Sequence, residues 1–266
     1  MKILTITNQK GGLGKTAVGT NIARVMADSF NKKILFLDLD VQGNASDTLE
    51  KFKSKLCATD LMSRVLKEEE IKAVVEGSQS IMLCSADDNL ANTENLDKGM
   101  CSANLANNLK ALGEHFDYCI IDTPPTLGNI LVIALLVTGQ ILIPVELDSF
   151  SLLGLNKLLT TYQNINMVRS QNGMATCDLL GIVINKFVSS RKRQQELLEQ
   201  LQKSAIGSLL LNDKIQTSGA IQDALSNSCS LNELRAIKGH TDKRAIDEFY
   251  ALTLEILNHD QSYCMW

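Results

Sequence analysis

The chain has 266 residues, 45% of them hydrophobic and 21% charged, with a mean hydropathy of +0.01. This composition is that of a globular protein and excludes wholesale disorder, collagen-like repeats and a long coiled coil. Twenty-six Lys and Arg against 30 Asp and Glu give a formal net charge of −4, which excludes a surface uniformly positive for gripping nucleic acid and leaves a local basic patch open.

Residues Met1 to Asn8 run directly into glycines and charge, without the apolar core of a signal peptide. Ile3 to Thr7 reads as a strand, a glycine-rich stretch follows, and a helical pattern then places Val18, Ile22, Val25 and Met26 on one face. Further apolar, β-branched runs occupy 34–37, 81–84, 118–121, 141–145 and 180–184. Strands apolar on both faces belong in the interior of a parallel sheet covered by helices. Helical patterns fill the intervals, most clearly at 101–115, 150–165, 189–204, 217–226 and 241–258. The alternation predicts an α/β fold with a single doubly wound, mostly parallel sheet flanked by helices. No linker, repeat or low-complexity tract marks a boundary, so residues 1–266 read as one domain. The stretch 45–80 has the weakest pattern and reads as a peripheral insertion.

The longest apolar run, Ile130 to Val137, is far short of the roughly 20 residues of a membrane span. The seven cysteines are an odd number without CxxC or Cys/His spacing, and read as scattered, reduced, mostly buried thiols. Both features point to a cytoplasmic chain.

The first strand leads into Lys10-Gly11-Gly12-Leu13-Gly14-Lys15-Thr16, and a helix follows at once. Glycines let the backbone turn so that successive N–H groups converge on a phosphate, and the helix N-terminus adds its positive dipole end. Lys15 is placed to neutralise the β- and γ-phosphates and the Thr16 hydroxyl to bind Mg²⁺. The usual phosphate-loop pattern has a glycine at position 9, where this chain has Gln9. The sequence fits a shifted form with a second lysine, K-G-G-x-G-K-T.

Lys10 to Thr16 resembles the deviant Walker A motif of the ParA/MinD family of P-loop ATPases. Three further segments resemble its ParA (Soj) branch: Leu37 to Asn44, Asp117 to Pro125 as a Walker B run, and Ile141 to Val145 followed by Leu153-Gly154-Leu155. The similarity runs from residue 3 to about 185 and is diffuse beyond. The resemblance implies ATP and Mg²⁺ as cofactors, with Lys10 through Ala17 and Asn185 binding nucleotide. Asp38 and Asp122 would join Thr16 around the metal. Asp40 would orient or activate the attacking water, and Asn185 would bond the adenine base. Lys10 would reach across a face-to-face homodimer to the partner's phosphates, adding a cation where charge builds up in the transition state. Ala17 and Val41 replace the threonine and proline usual in the family, which removes one hydroxyl and loosens the segment after Asp40.

Residues 186–244 carry ten basic and six acidic side chains, a local +4 that leaves −8 for the remainder. The resemblance implies sequence-independent DNA binding by basic residues of this region, with Arg191, Lys192, Arg193, Arg235 and Lys238 as the candidates. Phosphate contacts suffice for such binding. Nothing precedes the loop that could hold a helix-turn-helix, so no separate N-terminal DNA-reading domain is expected. The implied activity is plasmid or chromosome partition: an ATP-dependent, nucleoid-associated dimer, stimulated by a ParB-like centromere-binding protein. The alternatives are a MinD-like membrane-positioning ATPase, or a metabolic enzyme sharing the loop. The tail His259 to Trp266 contains no Lys or Arg, against membrane targeting, and no cysteine follows Asp122 closely, against an iron-protein-type reductase. An ATP-dependent ligase would need an acceptor pocket for which the sequence shows no sign.

Overall fold

The computed structural model describes residues 1–239 and 242–262, the side chains of residues 94, 149–153 and 260–262 excepted. The tail residues Tyr263 to Trp266, Cys264 among them, and the side chain of Leu153 lie outside the described residues. In chain order the elements are β1 (Lys2–Ile6), α1 (Lys15–Phe30), β2 (Ile34–Asp38), α2 (Asn44–Thr48), β3 (Lys53–Cys57), α3 (Ala58–Ser63), α4 (Glu68–Glu76), β4 (Ile81–Ser85), α5 (Lys98–Leu112) and β5 (Tyr118–Asp122). There follow α6 (Asn129–Val137), β6 (Gln140–Val145), α7 (Ser149–Gln171), β7 (Asp178–Phe187), α8 (Lys192–Gln202), β8 (Leu210–Gln216), α9 (Gly219–Ser226), α10 (Leu231–Lys238) and α11 (Lys243–Ser262).

The strands form one parallel sheet in the order β3-β4-β2-β5-β1-β6-β7-β8. Strand alternation sorts the core into two layers. Leu4, Ile6, Ile34 and Phe36 pack under α1, α9, α10 and α11, while Leu35 and Leu37 pack under α3 to α6 on the opposite face. Beyond them, α7 covers Ile141, Ile143 and Ile182, and α8 covers Ile184. All six strands read from the sequence are the inner six. The two that were not, β3 and β8, are the sheet's edges, where charged residues such as Lys53, Lys55, Asp213 and Lys214 break the apolar pattern. The stretch 45–80 is therefore no insertion, because it supplies edge strand β3 and the helices that cover it.

Six cysteines are free thiols, all buried except the half-buried Cys57. Among the described residues no helix is long and apolar enough to cross a membrane. In α11, Phe249, Thr253 and Leu257 face the core, whereas Tyr250 is exposed and stacks on Phe30 at 5.2 Å.

Arg24 of α1 ties the two ends of the chain together. Its buried guanidinium donates to the carbonyls of Thr48 (2.7 Å) and Ser228 (3.1 Å) and pairs with Glu233 at 3.0 Å. Phe52 lies under the guanidinium, with the Lys51 ammonium over the same ring. Arg24 thus fastens α2 to the α9–α10 junction, where Ser228 Oγ also donates to the Asp47 carbonyl at 2.8 Å. Replacing Arg24 by Met keeps the stem but leaves two carbonyls unpaired. Urea denaturation is expected to show a loss of about 2–3 kcal/mol, in the range for a broken buried network.

Candidate nucleotide-binding site

The loop between β1 and α1 sits at the carboxyl end of the central strands, where open α/β sheets bind ligands. Gly12 and Gly14 adopt left-handed φ values of 78° and 79°. A Cβ on Gly14 would come within 2.3 Å of the Asn185 amide, so any larger residue here would carry a strained backbone and displace Asn185 from the loop. Gly14 caps α1 without a side-chain hydrogen bond, and the first turn contains no acid. The helix therefore presents its backbone donors and its positive end outward.

The carboxylates come from two neighbouring strands. Asp38 ends β2, Asp122 ends β5, their Cα atoms are register partners, and both are fully buried. Asp122 accepts from Thr16 Oγ1 at 2.6 Å, and its second oxygen has no partner among the described residues. Burial pushes its pKa up to about 7, with Asp38 adding to the rise and the Thr16 bond opposing it. Asp38 accepts from Ser46 N (2.8 Å), Ser46 Oγ (2.7 Å) and Asp40 N (3.1 Å). These bonds only partly offset burial, which raises its pKa to about 6. Lys15 is buried beside them, its pKa lowered by desolvation and partly restored by Asp122 and Asp40.

Asp40 lies beyond the end of β2 and lines a cleft of about 600 Å³ together with Gly11, Gly12, Gly14, Lys15, Thr16 and Ala17. Its carboxylate accepts from Gln42 N at 3.0 Å, which orders the turn carrying Val41. Leu13 is buried beneath the loop. Asn185, expected at the base, instead donates from Nδ2 to the Leu13 carbonyl at 2.8 Å and is buried against the loop. Lys10 stands at the rim, its Nζ 2.8 Å from Asp148 on the connection from β6 to α7.

Thus Lys10 to Ala17, Asp38, Asp40, Asp122 and Asn185 all meet at one end of the sheet. Sequence reasoning missed Ser46, Glu146, Asp148 and Lys186, which no motif marks and which act through contacts distant in sequence. The basic candidates do not converge. Arg191, Lys192 and Arg193 are exposed at the start of α8, over the face covered by α7, whereas Arg235 and Lys238 lie on α10 over the face covered by α1. Lys238 is paired with Asp223 at 2.7 Å and Arg193 with Glu196 at 3.7 Å, while Arg191, Lys192 and Arg235 have no ion pair among the described residues.

A parallel sheet with a glycine loop opening a helix, and carboxylates at the ends of adjacent central strands, defines a P-loop nucleoside-triphosphate-binding protein. The profile of a family described as an AAA domain matches residues 1–176. Protein IncC of Escherichia coli is 32% identical over 259 residues, covering 96% of this chain and 70% of IncC. The sporulation initiation inhibitor protein Soj of Bacillus subtilis is 33% identical over 168 residues, 60% of this chain and 64% of Soj. The structure of apo McdA from Cyanothece superposes with a TM-score of 0.74 at 26% identity, covering 97% of this chain and 99% of that one. The chain belongs to the ParA/MinD family of partition ATPases. It is an ATP-hydrolysing enzyme with ATP and Mg²⁺ as cofactors.

The donor set suits that metal. Mg²⁺ takes hard oxygen ligands, typically one or two carboxylates with substrate phosphates. The Thr16 hydroxyl and an Asp122 oxygen without a protein partner are of that kind. The raised carboxylates also set a pH dependence. Each keeps its proton in the folded protein at pH values where the unfolded chain, near the ordinary value of 3.8, has already lost it. They therefore lower the stability of the nucleotide-free protein as pH rises from about 4 to about 7. Urea titrations of wild type and Asp122→Asn between pH 5 and 8 are expected to show the variant gaining on wild type with rising pH. A constant difference between the two curves would contradict the assignment.

Proposed function

We propose that this ATPase drives partition of a plasmid or chromosome: ATP joins two copies face to face, the dimer holds DNA without sequence preference, and a ParB-like partner triggers hydrolysis and release. The reading treats residues 1–266 as one ATPase domain acting on the nucleoid. The observation that carries it is the lysine pair of the loop, Lys15 buried in the cleft and Lys10 half-exposed at its rim. A cation already within the cleft needs no partner, whereas a second one at the rim is suited to phosphates approaching from outside. Its pairing with Asp148 is no obstacle, since exposed ion pairs are worth about 0–1 kcal/mol.

In this mechanism the loop N–H groups and Lys15 bind the β- and γ-phosphates, and Thr16 with Asp122 would hold a Mg²⁺ ion, whose charge would offset that of the phosphoryl oxygens. Asp38, expected beside Thr16 and Asp122 around the metal, has both oxygens engaged by protein donors, and its bonds to Ser46 and to Asp40 N set the course of the segment that carries Asp40. Asp40 orients the attacking water, and Lys10 of the opposite copy neutralises charge developing on the transferring group. Relatives named chromosome partitioning protein ParA, of Myxococcus xanthus, and virulence plasmid ParA family protein pGP5-D, of Chlamydia psittaci, support the cargo class.

ATP-dependent retention on non-specific DNA, read at two salt concentrations, tests the proposal. Lys15→Ala is expected to abolish ATP binding and retention together. Asp40→Ala should still bind ATP and stay on DNA while turnover drops about a hundredfold, the scale of a positioned acid–base group; full turnover in that variant would remove the water-orienting role. Retention on anionic vesicles in place of DNA would favour the MinD-like alternative.

Charge reversal locates the DNA-binding face. Arg191, Lys192 and Arg193 changed together to Glu should weaken retention and flatten its salt dependence, the slope falling by about 0.9 for each phosphate no longer neutralised, with ATP-dependent dimerisation intact. Reversing Arg235 and Lys238 separately reads the other face. If retention by the α8 variant matches wild type, α8 does not hold the DNA.

A further inference from the structure

Successive side chains of a regular strand point to opposite faces, yet at the carboxyl end of β7 two neighbours reach the same loop. Asn185 Nδ2 donates to the Leu13 carbonyl at 2.8 Å, and Lys186 Nζ donates to the Gly12 carbonyl. The alternation is broken by the backbone. Lys186 has a left-handed φ of 52°, and the register with β8 shifts between Ile184 and Phe187. Bulges of this kind re-aim side chains and collect beside functional sites, and a left-handed residue with a Cβ persists only where its surroundings hold it. Here they do so from two sides. Glu146 pairs with Lys186 Nζ at 2.8 Å, and Thr217 donates from Oγ1 to the Lys186 carbonyl at 3.1 Å and from its N–H to the Phe187 carbonyl at 3.0 Å.

The two tethered carbonyls are consecutive, and that decides what the tether does. In a trans peptide the C=O of one residue and the N–H of the next point in opposite directions. Drawing the Gly12 and Leu13 carbonyls toward Lys186 and Asn185 turns the Leu13 and Gly14 N–H groups away from those two side chains and fixes both peptide planes. We propose that Lys186 is a positioning residue for the phosphate loop, acting with Asn185 to hold two loop peptides in the orientation that binds phosphate. Glu146 pairs with the ammonium and helps aim it at the Gly12 carbonyl, and through that bond Lys186 serves the loop's geometry. The inference rests on the loop binding nucleotide as described above.

Steady-state kinetics and equilibrium binding of ATP and ADP to the full chain test it. Lys186→Met keeps the stem and loses the donor; KM for ATP should rise about tenfold, the loss expected of a charge-assisted hydrogen bond, with kcat within about twofold. ADP affinity should fall by the same factor, because the loop N–H groups serve both nucleotides. Lys186→Arg should recover most of the loss. Lys186→Gly should unfold at a higher temperature than Lys186→Met, freed of the left-handed constraint, and still show the same rise in KM, a combination that a merely structural role does not give. Wild-type KM in Lys186→Met would overturn the proposal. So would a loss confined to ATP, which would make Lys186 a direct γ-phosphate ligand. Lys15→Ala separates the two levels: if that variant still binds nucleotide, the reading of the loop itself fails. If it does not bind while Lys186→Met binds normally, only the positioning role fails.

Discussion

Asp38 and Asp122 stand side by side on neighbouring strands with no access to water, and the site is organised around the cost of keeping them there. A buried carboxylate is tolerated only when bonded or paired. Asp38 meets that demand by collecting donors from Ser46 and Asp40, and in doing so it fixes the course of residues 40–46, since the chain must bend back to supply them. Ser46 Oγ accepts in turn from Ala86 N at 2.9 Å, which fastens the end of β4 to the same segment. Asp122 is served less completely. It has Thr16 on one oxygen, none on the other, and a desolvated Lys15 nearby. An acceptor without a donor, next to a hydroxyl and a cation at the end of a phosphate loop, is an arrangement that a divalent cation and its phosphates complete.

The backbone around the carboxylates obeys a second constraint, that N–H groups gather on one side. Gly12 and Gly14 take left-handed conformations to make the turn, α1 begins without a side-chain cap, and the carbonyls of Gly12 and Leu13 are held by Lys186 and Asn185 of β7. Each device bears on which way the loop's N–H groups face. Asn185 takes part twice, because the amide that bonds Leu13 also fills the space a Gly14 side chain would need. These two contacts hold the Asn185 side chain against the loop.

How far these features are legible in the sequence follows from their physics. The six inner strands are buried on both faces and announce themselves as apolar runs. The edge strands β3 and β8 face solvent along one side, admit Lys53, Lys55, Asp213 and Lys214, and lose the signal. The phosphate loop is legible because glycine positions, lysine spacing and helix onset are all local. Asp38 and Asp122 are legible as strand ends, although the sequence does not show that Asp38 is spent on Ser46. Ser46, Asp148 and Lys186 carry no pattern, since each is defined by a partner across the fold: Asp38, Lys10 and Gly12. Lys186 is the extreme case, as a strand read by strict alternation would turn it away from the loop.

Net charge is the feature for which position matters more than number. The +4 of residues 186–244 spreads over two faces of the sheet, and part of it is engaged within the chain: Lys186 with Glu146, Lys238 with Asp223, Arg244 with Asp242. Exposed pairs of this kind are given up at a cost of about 0–1 kcal/mol, so pairing alone does not distinguish the cations. Helix polarity does. Arg235 and Lys238 occupy the last turn of α10, where the dipole favours cations and stability alone accounts for them. Arg191 caps the start of α8, and Lys192 and Arg193 open it, where the dipole opposes cations by about 0.3–1 kcal/mol each. A polyanion arriving at α8 would meet three basic side chains and a helix N-terminus together, and would relieve the repulsion it found. Of the two groups, only the one on α8 stands where the helix dipole opposes it.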